Sequence, residues 1–122
     1  MNILLGIGGS DDSFRALEQT VARAQAAGDD LTIAVLQNPE SDRETDAIVE
    51  RVQKVLDGAD FAADLRHVSG DPGSQLVALA ERGEFDQLVL GGGQRSPMGK
   101  IKLGHIAEFV LLNSPITVTL VR

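Results

Sequence analysis

Residues 85–105, FDQLVLGGGQRSPMGKIKLGH, decide the fold, because an apolar run leads directly into a glycine-rich loop. Such a run is typical of a buried strand in a parallel sheet, where ligands bind beyond the carboxyl ends of the strands. Glycine has no Cβ, so the backbone N–H groups of the loop can approach an anion closely. The stretch therefore predicts an α/β sheet with an anion-binding loop at its carboxyl edge.

The remaining chain alternates apolar runs with amphipathic segments. Strands are predicted at 2–7, 31–37, 63–70, 85–93 and 116–121. Helices are predicted from about Ser13 to Gly28, from a Ser41–Glu44 capping box to Gly58, from Pro72 (capped by Asp71) to Gly83, and over 105–113. The third strand is the most polar and is expected near an edge. This order predicts one domain over 1–122, an open five-stranded parallel sheet with helices on both faces.

Composition limits the classes of function. The chain has 122 residues, is 43% hydrophobic and lacks cysteine, so one core without disulfides or thiolate-bound zinc is expected. Eighteen acids against eleven bases give a net charge of −7, which argues against binding nucleic acid. Neither a signal peptide nor an apolar run of membrane-spanning length is evident, which predicts a cytoplasmic protein without a membrane partner. No nucleophile, base and orienting group can be assembled, so enzyme activity is not expected.

Two common phosphate loops do not fit. In a P-loop, a serine or threonine follows the lysine, whereas Ile101 follows Lys100. The dinucleotide fingerprint needs three spaced glycines after the first strand, and GIGGSDDS lacks the third. Asp11 and Asp12 are similar to the acidic pair of response-regulator receivers, but the other receiver residues are missing. We interpret both as stabilising the positive end of the first helix.

A cluster of bases surrounds the glycine loop. No acid occurs from Gln87 to Ala107, although 21 residues of average composition would hold about three. Arg95, Lys100, Lys102 and His105 lie in this stretch. In an acidic protein, this basic segment favours an anion, while the alternative is a flexible surface turn with scattered bases.

Three segments together resemble the universal stress protein family over essentially the whole chain. They are GGS with SFRAL after the first strand, GDPGSQLVALAERGEFDQLVLG at 70–91, and LGHIAEFVLLNSPITVTLVR at 103–122. The resemblance implies the strand order 3-2-1-4-5, with strands one and four meeting at the topological switch point. It also implies an ATP-binding crevice there, and ADP, AMP, another phosphate ligand or no ligand remain as alternatives to ATP. A homodimer joined through the last strand is implied as well, with the residues Ile116, Thr117, Val118, Thr119, Leu120 and Val121.

The resemblance and the basic segment together assign the crevice to residues from both halves of the chain. They are Gly8, Gly9, Ser10, Leu36, Gly91, Gly92, Gly93, Gln94, Arg95, Lys100, Lys102, Gly104 and His105. Three depart from the family motif: Gly8 replaces an aspartate, Gln94 a glycine and His105 a hydroxyl residue. We therefore expect a stress-response binding module in which ATP binding is weakened or lost. The alternative is a ligand-independent dimeric scaffold that acts through contacts with an unknown protein partner.

Overall fold

Four helices and seven strands are present in the computed structural model, which describes residues 1–36, 44–92, 94–95, 101–102 and 104–121. At 94–95 and 101–102 only the backbone is described. The strands are β1 (Asn2–Ile7), β2 (Asp30–Leu36), β3 (Asp64–Val68), β4 (Gln87–Gly91), β5 (Gln94–Arg95), β6 (Ile101–Lys102) and β7 (Thr117–Val121). The helices are α1 (Asp11–Ala27), α2 (Thr45–Gly58), α3 (Pro72–Arg82) and α4 (His105–Asn113).

Five of the strands form one parallel sheet in the order β3-β2-β1-β4-β7. Because β5 and β6 lie outside this sheet, β7 is its fifth strand in chain order, and the predicted order 3-2-1-4-5 is confirmed. The polar strand β3 is at one edge, as its composition predicts, and β7 is at the other. The antiparallel pair β5–β6 was not predicted, and it joins Gln94 to Lys102 and Arg95 to Ile101.

The core has one layer on each face of the sheet. On one face, the buried apolar side chains of α1 and α2 pack against Ile3, Leu5 and Ile7 of β1. On the other face, α3 and α4 pack against Leu4 and the alternate residues of β2 and β4. The two faces are therefore both covered by helices, as the strand and helix alternation predicts.

Most helix boundaries follow the predicted capping residues. Asp71 caps α3 and Gly83 ends it, while Gly28 ends α1 in a left-handed conformation with φ of 72°. The predicted start of α1 is late by two residues, because Ser10 is its N-cap. The predicted capping box of α2 is wrong, since Glu44 is itself the N-cap and makes no side-chain capping bond. Ser41 lies outside the described residues.

The cap of α3 gives a stability prediction. The hydroxyl and the backbone amide of Ser74 both donate to the Asp71 carboxylate and hold its pKa below the ordinary value of 3.8. The amide bond is 2.9 Å long. The ionised cap therefore stabilises the folded state above pH 3.8, and this contribution is lost as the pH falls through the lower folded pKa.

We expect Asp71→Ala to lower the melting temperature at pH 7, with a difference from the parent that shrinks below pH 3.8. Asp71→Asn is the matched control, because an amide oxygen caps the helix without titrating. Thermal unfolding followed by circular dichroism from pH 2.5 to 7 measures both variants. A gap between Asp71→Ala and the parent that is constant over this range would contradict the prediction.

Candidate functional site

The turn between β1 and α1 is held by two hydrogen bonds that Ser13 donates to Ser10. Gly9 has φ of 92°, a left-handed conformation that favours glycine. The Ser13 amide donates to Ser10 Oγ at 3.2 Å, and Ser13 Oγ donates to the Ser10 carbonyl at 2.7 Å. Because Ser13 is only 3% exposed, these bonds fix the turn against the core. The first strand therefore ends in a fixed turn whose exposed residue, Ser10, caps α1.

The carboxyl end of β4 lies directly on the first turn of α1. A Cβ atom added to Gly91 would lie 2.2 Å from the carbonyl oxygen of Asp12 and 2.6 Å from the amide nitrogen of Ser13. Real Cβ atoms do not approach backbone atoms this closely, so only glycine permits the contact. The turn after β1 and the turn after β4, which are remote in sequence, therefore meet at one place.

Gly92 extends this contact to α4 and β7. Its amide donates to the Val121 carbonyl at 3.0 Å, one residue after Gly91, which is the last residue of β4 paired with β7. A Cβ on Gly92 would lie 3.8 Å from the Cβ of Ala107 in α4. The Gly91–Gly92 turn thus lies between the first turns of two helices. We call the region formed by the 8–10 turn, the Gly91–Gly92 turn and Gly104 the carboxyl-edge crevice.

The helix N-termini at this edge differ in their caps. Ser10 caps α1 and Asp71 caps α3, each with a side-chain oxygen that accepts a backbone amide. The N-cap of α4 is Gly104, and no side-chain capping bond is made there. The first amides of a helix carry partial positive charge and lack intrahelical acceptors. In this structure, the start of α4 is therefore suited to receive an acceptor from a ligand.

The first turn of α1 at the crevice is acidic, and a histidine begins α4. Asp11 and Asp12 form the acidic first turn of α1, and Asp12 accepts from Arg15 at 3.2 Å. His105 is the first residue of α4 and is exposed. The acids lie beside the contact of α1 with Gly91, and the Arg15 ion pair offsets only one of them, so this side of the crevice has no net positive charge for an anion.

The predicted site residues divide into three groups. Gly8, Gly9, Ser10, Gly91, Gly92, Gly104 and His105 are all described and lie at the carboxyl edge of the sheet. Gln94, Arg95 and Lys102 are described by their backbone in β5 and β6, while Gly93 and Lys100 lie outside the described residues. Leu36 ends β2, but its side chain is 1% exposed and packs in the core layer of α3 and α4.

Sequence reasoning missed two features of the site. It assigned Gly91 to the ligand and did not include the packing of this glycine against Asp12 and Ser13. It also treated 91–105 as one loop, although Pro97 and Gly99 are turn-forming residue types that could have indicated the β5–β6 hairpin.

Two features are absent from the residues that the structure describes. No group of three or more His, Cys, Asp or Glu residues there could hold a metal ion. Within the same ranges, no helix combines the length and the apolar character needed to cross a bilayer.

We expect Gly91→Ala to lower the free energy of unfolding by about 2 kcal/mol or more, because the methyl group would overlap the backbone of α1. Gly58→Ala is the control, since nothing lies within 4 Å of a Cβ added at the end of α2. That variant should be neutral or more stable by about 0.5 kcal/mol. Urea denaturation measures both, and equal stability of the two variants would show that the contact is not tight.

Comparison with known proteins places this geometry in a family. A model of the universal stress protein family matches residues 1–122. A universal stress protein of Methanothermobacter thermautotrophicus is 35% identical over 80 residues, or 62% of this chain. The matched stretch spans 53% of that relative, about half its length.

Two solved structures share the architecture. A universal stress protein in complex with cAMP is 26% identical, has a TM-score of 0.74 and aligns over 100% of this chain and 97% of its own. A family member from Arabidopsis thaliana with AMP bound is 15% identical, with a TM-score of 0.70 over 99% of this chain and 90% of its own, and shows the fold alone. The family model, the sheet order and the two helical layers agree, and the chain belongs to the universal stress protein family.

Proposed function

We propose that this chain is a stress-response binding module that holds an adenine nucleotide in the carboxyl-edge crevice. The observation that carries the proposal is the N-terminus of α4, whose cap, Gly104, makes no side-chain capping bond. Phosphate groups bind at such helix N-termini through backbone N–H groups and the helix dipole. The relative solved with cAMP, at 26% identity, supports an adenine nucleotide as the ligand class.

A single phosphate group suits this crevice better than a triphosphate. The first turn of α1 beside the Gly91 contact carries Asp11 and Asp12, of which Asp12 is paired with Arg15 at 3.2 Å, so this turn offers no net positive charge to further phosphate groups. The backbone of Gln94 is held in the β5–β6 ladder, and Gly8 and His105 replace the aspartate and hydroxyl residue expected from the family motif. We therefore propose that AMP binds more tightly than ATP. The module binds its ligand without a chemical step, because the sequence provides no assembled nucleophile and base.

A substitution at the cap separates ligand binding from folding. We expect Gly104→Asp to leave the melting temperature unchanged or slightly raised, because aspartate is a favourable N-cap and a Cβ there meets nothing within 4 Å. The introduced carboxylate also accepts hydrogen bonds from the first amides of α4 and repels phosphate. The affinity for AMP should therefore fall about tenfold or more. Calorimetric titration with AMP and ATP measures both ligands against the parent.

Gly104→Asn is the matched control, since it caps the helix without adding charge. It should weaken AMP binding less than Gly104→Asp does, because the asparagine side chain competes with phosphate for the first amides of α4 but does not repel it. Unchanged AMP affinity in Gly104→Asp would exclude the start of α4 as the phosphate site. ATP binding as tight as AMP binding to the parent would contradict the proposed preference.

The second candidate function is a dimer that acts through protein contacts alone, and one observation favours its interface. Residues 109–121, which include part of α4 and all of β7, carry no charge in a chain that is 24% charged. The opposite edge strand, β3, carries Asp64 and Arg66, which form an ion pair at 3.3 Å. Charged residues protect an edge strand from pairing, so the uncharged β7 is the edge suited to join a second copy.

We expect the parent to sediment as a dimer at tens of micromolar and Thr117→Lys to shift it toward monomer. Thr117 is exposed, so lysine there should leave the fold intact while it places a positive charge on the pairing edge of both copies. Arg66→Lys on β3 serves as a control on the opposite edge. A parent that sediments as a monomer would contradict the dimer.

The two functions are distinguished by whether adenine nucleotide is released when a freshly purified preparation of the protein is denatured. Bound adenine nucleotide supports the nucleotide-binding module. A dimer without nucleotide, which also fails to bind AMP in titration, supports the ligand-independent scaffold.

A further inference from the structure

A groove runs between the outer flanks of α3 and α4. Phe109 of α4 lies against the first turn of α3, where a Cβ added to Gly73 would be 2.9 Å from Cδ1 of its ring. Val110, which faces the sheet, is 0% exposed, whereas Phe109 is 38% exposed. The ring therefore fills the space between the two helices and keeps part of its surface in solvent.

Apolar side chains continue along this α3–α4 groove. Each helical residue advances about 100° around the axis, so Leu112 lies about 60° from Phe109, on the outer side of α4. Leu112 is 77% exposed, more than any other large apolar side chain that the structure describes. On α3, Val77 lies one turn after Gly73 on the flank that faces α4. An apolar residue alone is common on a protein surface, whereas a contiguous apolar patch with a polar rim marks an interaction site.

The charged side chains at the two ends of the groove are acidic. Asp71, the cap of α3, and Glu108, in the first turn of α4, lie at its carboxyl-edge end. At the other end, Glu81 is exposed and lies about two turns after Gly73, on the outer side of the flank that faces α4. Arg82, the next residue, points about 100° further round α3, away from α4. Between Asp71 and Glu81 the helix rises by about 15 Å.

The position of Glu81 is not explained by the stability of α3. It lies in the last turn of the helix, where the negative end of the helix dipole disfavours an acid. An opposite charge supplied by a partner would remove this unfavourable interaction. The acid at this end of the groove is therefore better explained by binding than by folding.

Charge complementarity selects the occupant of the groove. A second copy of this chain also carries a net charge of −7, so it would be repelled by the acids at both ends. An amphipathic helix with lysine or arginine near its ends would pair with these acids and bury Phe109 and Leu112 under its apolar face. Three turns of helix span about 16 Å, which matches the separation of the acidic ends.

We propose that the α3–α4 groove docks a basic amphipathic helix of a partner protein, with Phe109 and Leu112 as the apolar anchors. This inference goes beyond the proposed nucleotide binding, because the groove includes no residue of the carboxyl-edge crevice. It also leaves the β7 edge free. Leu111 lies about 200° from Phe109, on the flank away from α3, and takes no part in the docking.

A designed peptide serves as the probe for this groove. It is a labelled helix of about 14 residues with leucine along one face and lysine near both ends, and its binding is followed by fluorescence anisotropy. We expect Leu112→Gln to weaken binding about fivefold and Glu81→Gln about threefold relative to the parent. A reference peptide of the same composition, with its leucines spread around the helix, should bind at least about tenfold more weakly.

Two matched variants control for loss of a leucine and loss of a charge elsewhere. Leu111→Gln removes an exposed leucine from the other flank of α4, and Glu18→Gln removes an exposed acid from α1, which covers the opposite face of the sheet. Both should bind the peptide as the parent does. Melting temperatures of all four variants establish that they fold.

The outcomes distinguish the groove from general attraction to an acidic surface. Equal weakening by Glu81→Gln and Glu18→Gln, or equal binding of the two peptides, would show such attraction and overturn the proposal. No binding by the parent at about 100 micromolar peptide would overturn it as well. A change in the sedimentation of the parent protein caused by Leu112→Gln would assign the groove to a second copy instead of a partner helix.

Discussion

The close approach of Gly91 to the backbone of α1 is the constraint on which the carboxyl edge depends. A strand end and a helix start meet there with no side chain between them, since a Cβ would lie 2.2 Å from the Asp12 oxygen. This contact brings the turns after β1 and β4 together at the topological switch point of the sheet, where open α/β proteins bind ligands. The neighbouring Gly92 connects the same point to α4 and β7. The crevice therefore results from the packing of backbone atoms, without a contribution from charged side chains.

The sequence allowed most of the fold to be predicted, because its local signals agree with one another. Asp71 followed by Pro72 marks the start of α3, and the glycines at 28 and 83 mark helix ends where the structure has them. The start of α2 was misjudged because the spacing of Ser41 and Glu44 resembles a capping box, whereas Glu44 itself precedes the helix. Spacing alone does not fix which of two polar residues becomes the cap.

Less of the candidate site than of the fold could be predicted from the sequence. Glycine and basic residues indicated an anion, but the packing of Gly91 on Asp12 joins residues far apart in the chain, which no local pattern reveals. The same holds for the pairing of Gln94 with Lys102. The start of α4 has no side-chain cap because residue 104 is glycine, and it differs in this from α1 and α3, which Ser10 and Asp71 cap. A missing side chain can thus be as informative as a polar one.

The position of the central strand, β1, affects how the protein unfolds. Ile3, Leu5 and Ile7 of β1 belong to the core layer of α1 and α2, while Leu4 belongs to the layer of α3 and α4. Neither pair of helices can detach without exposing one face of this strand to water, and the strand hydrogen-bonds to both β2 and β4. The two layers are therefore coupled through six residues, which favours concerted, all-or-none unfolding over separate melting of each side.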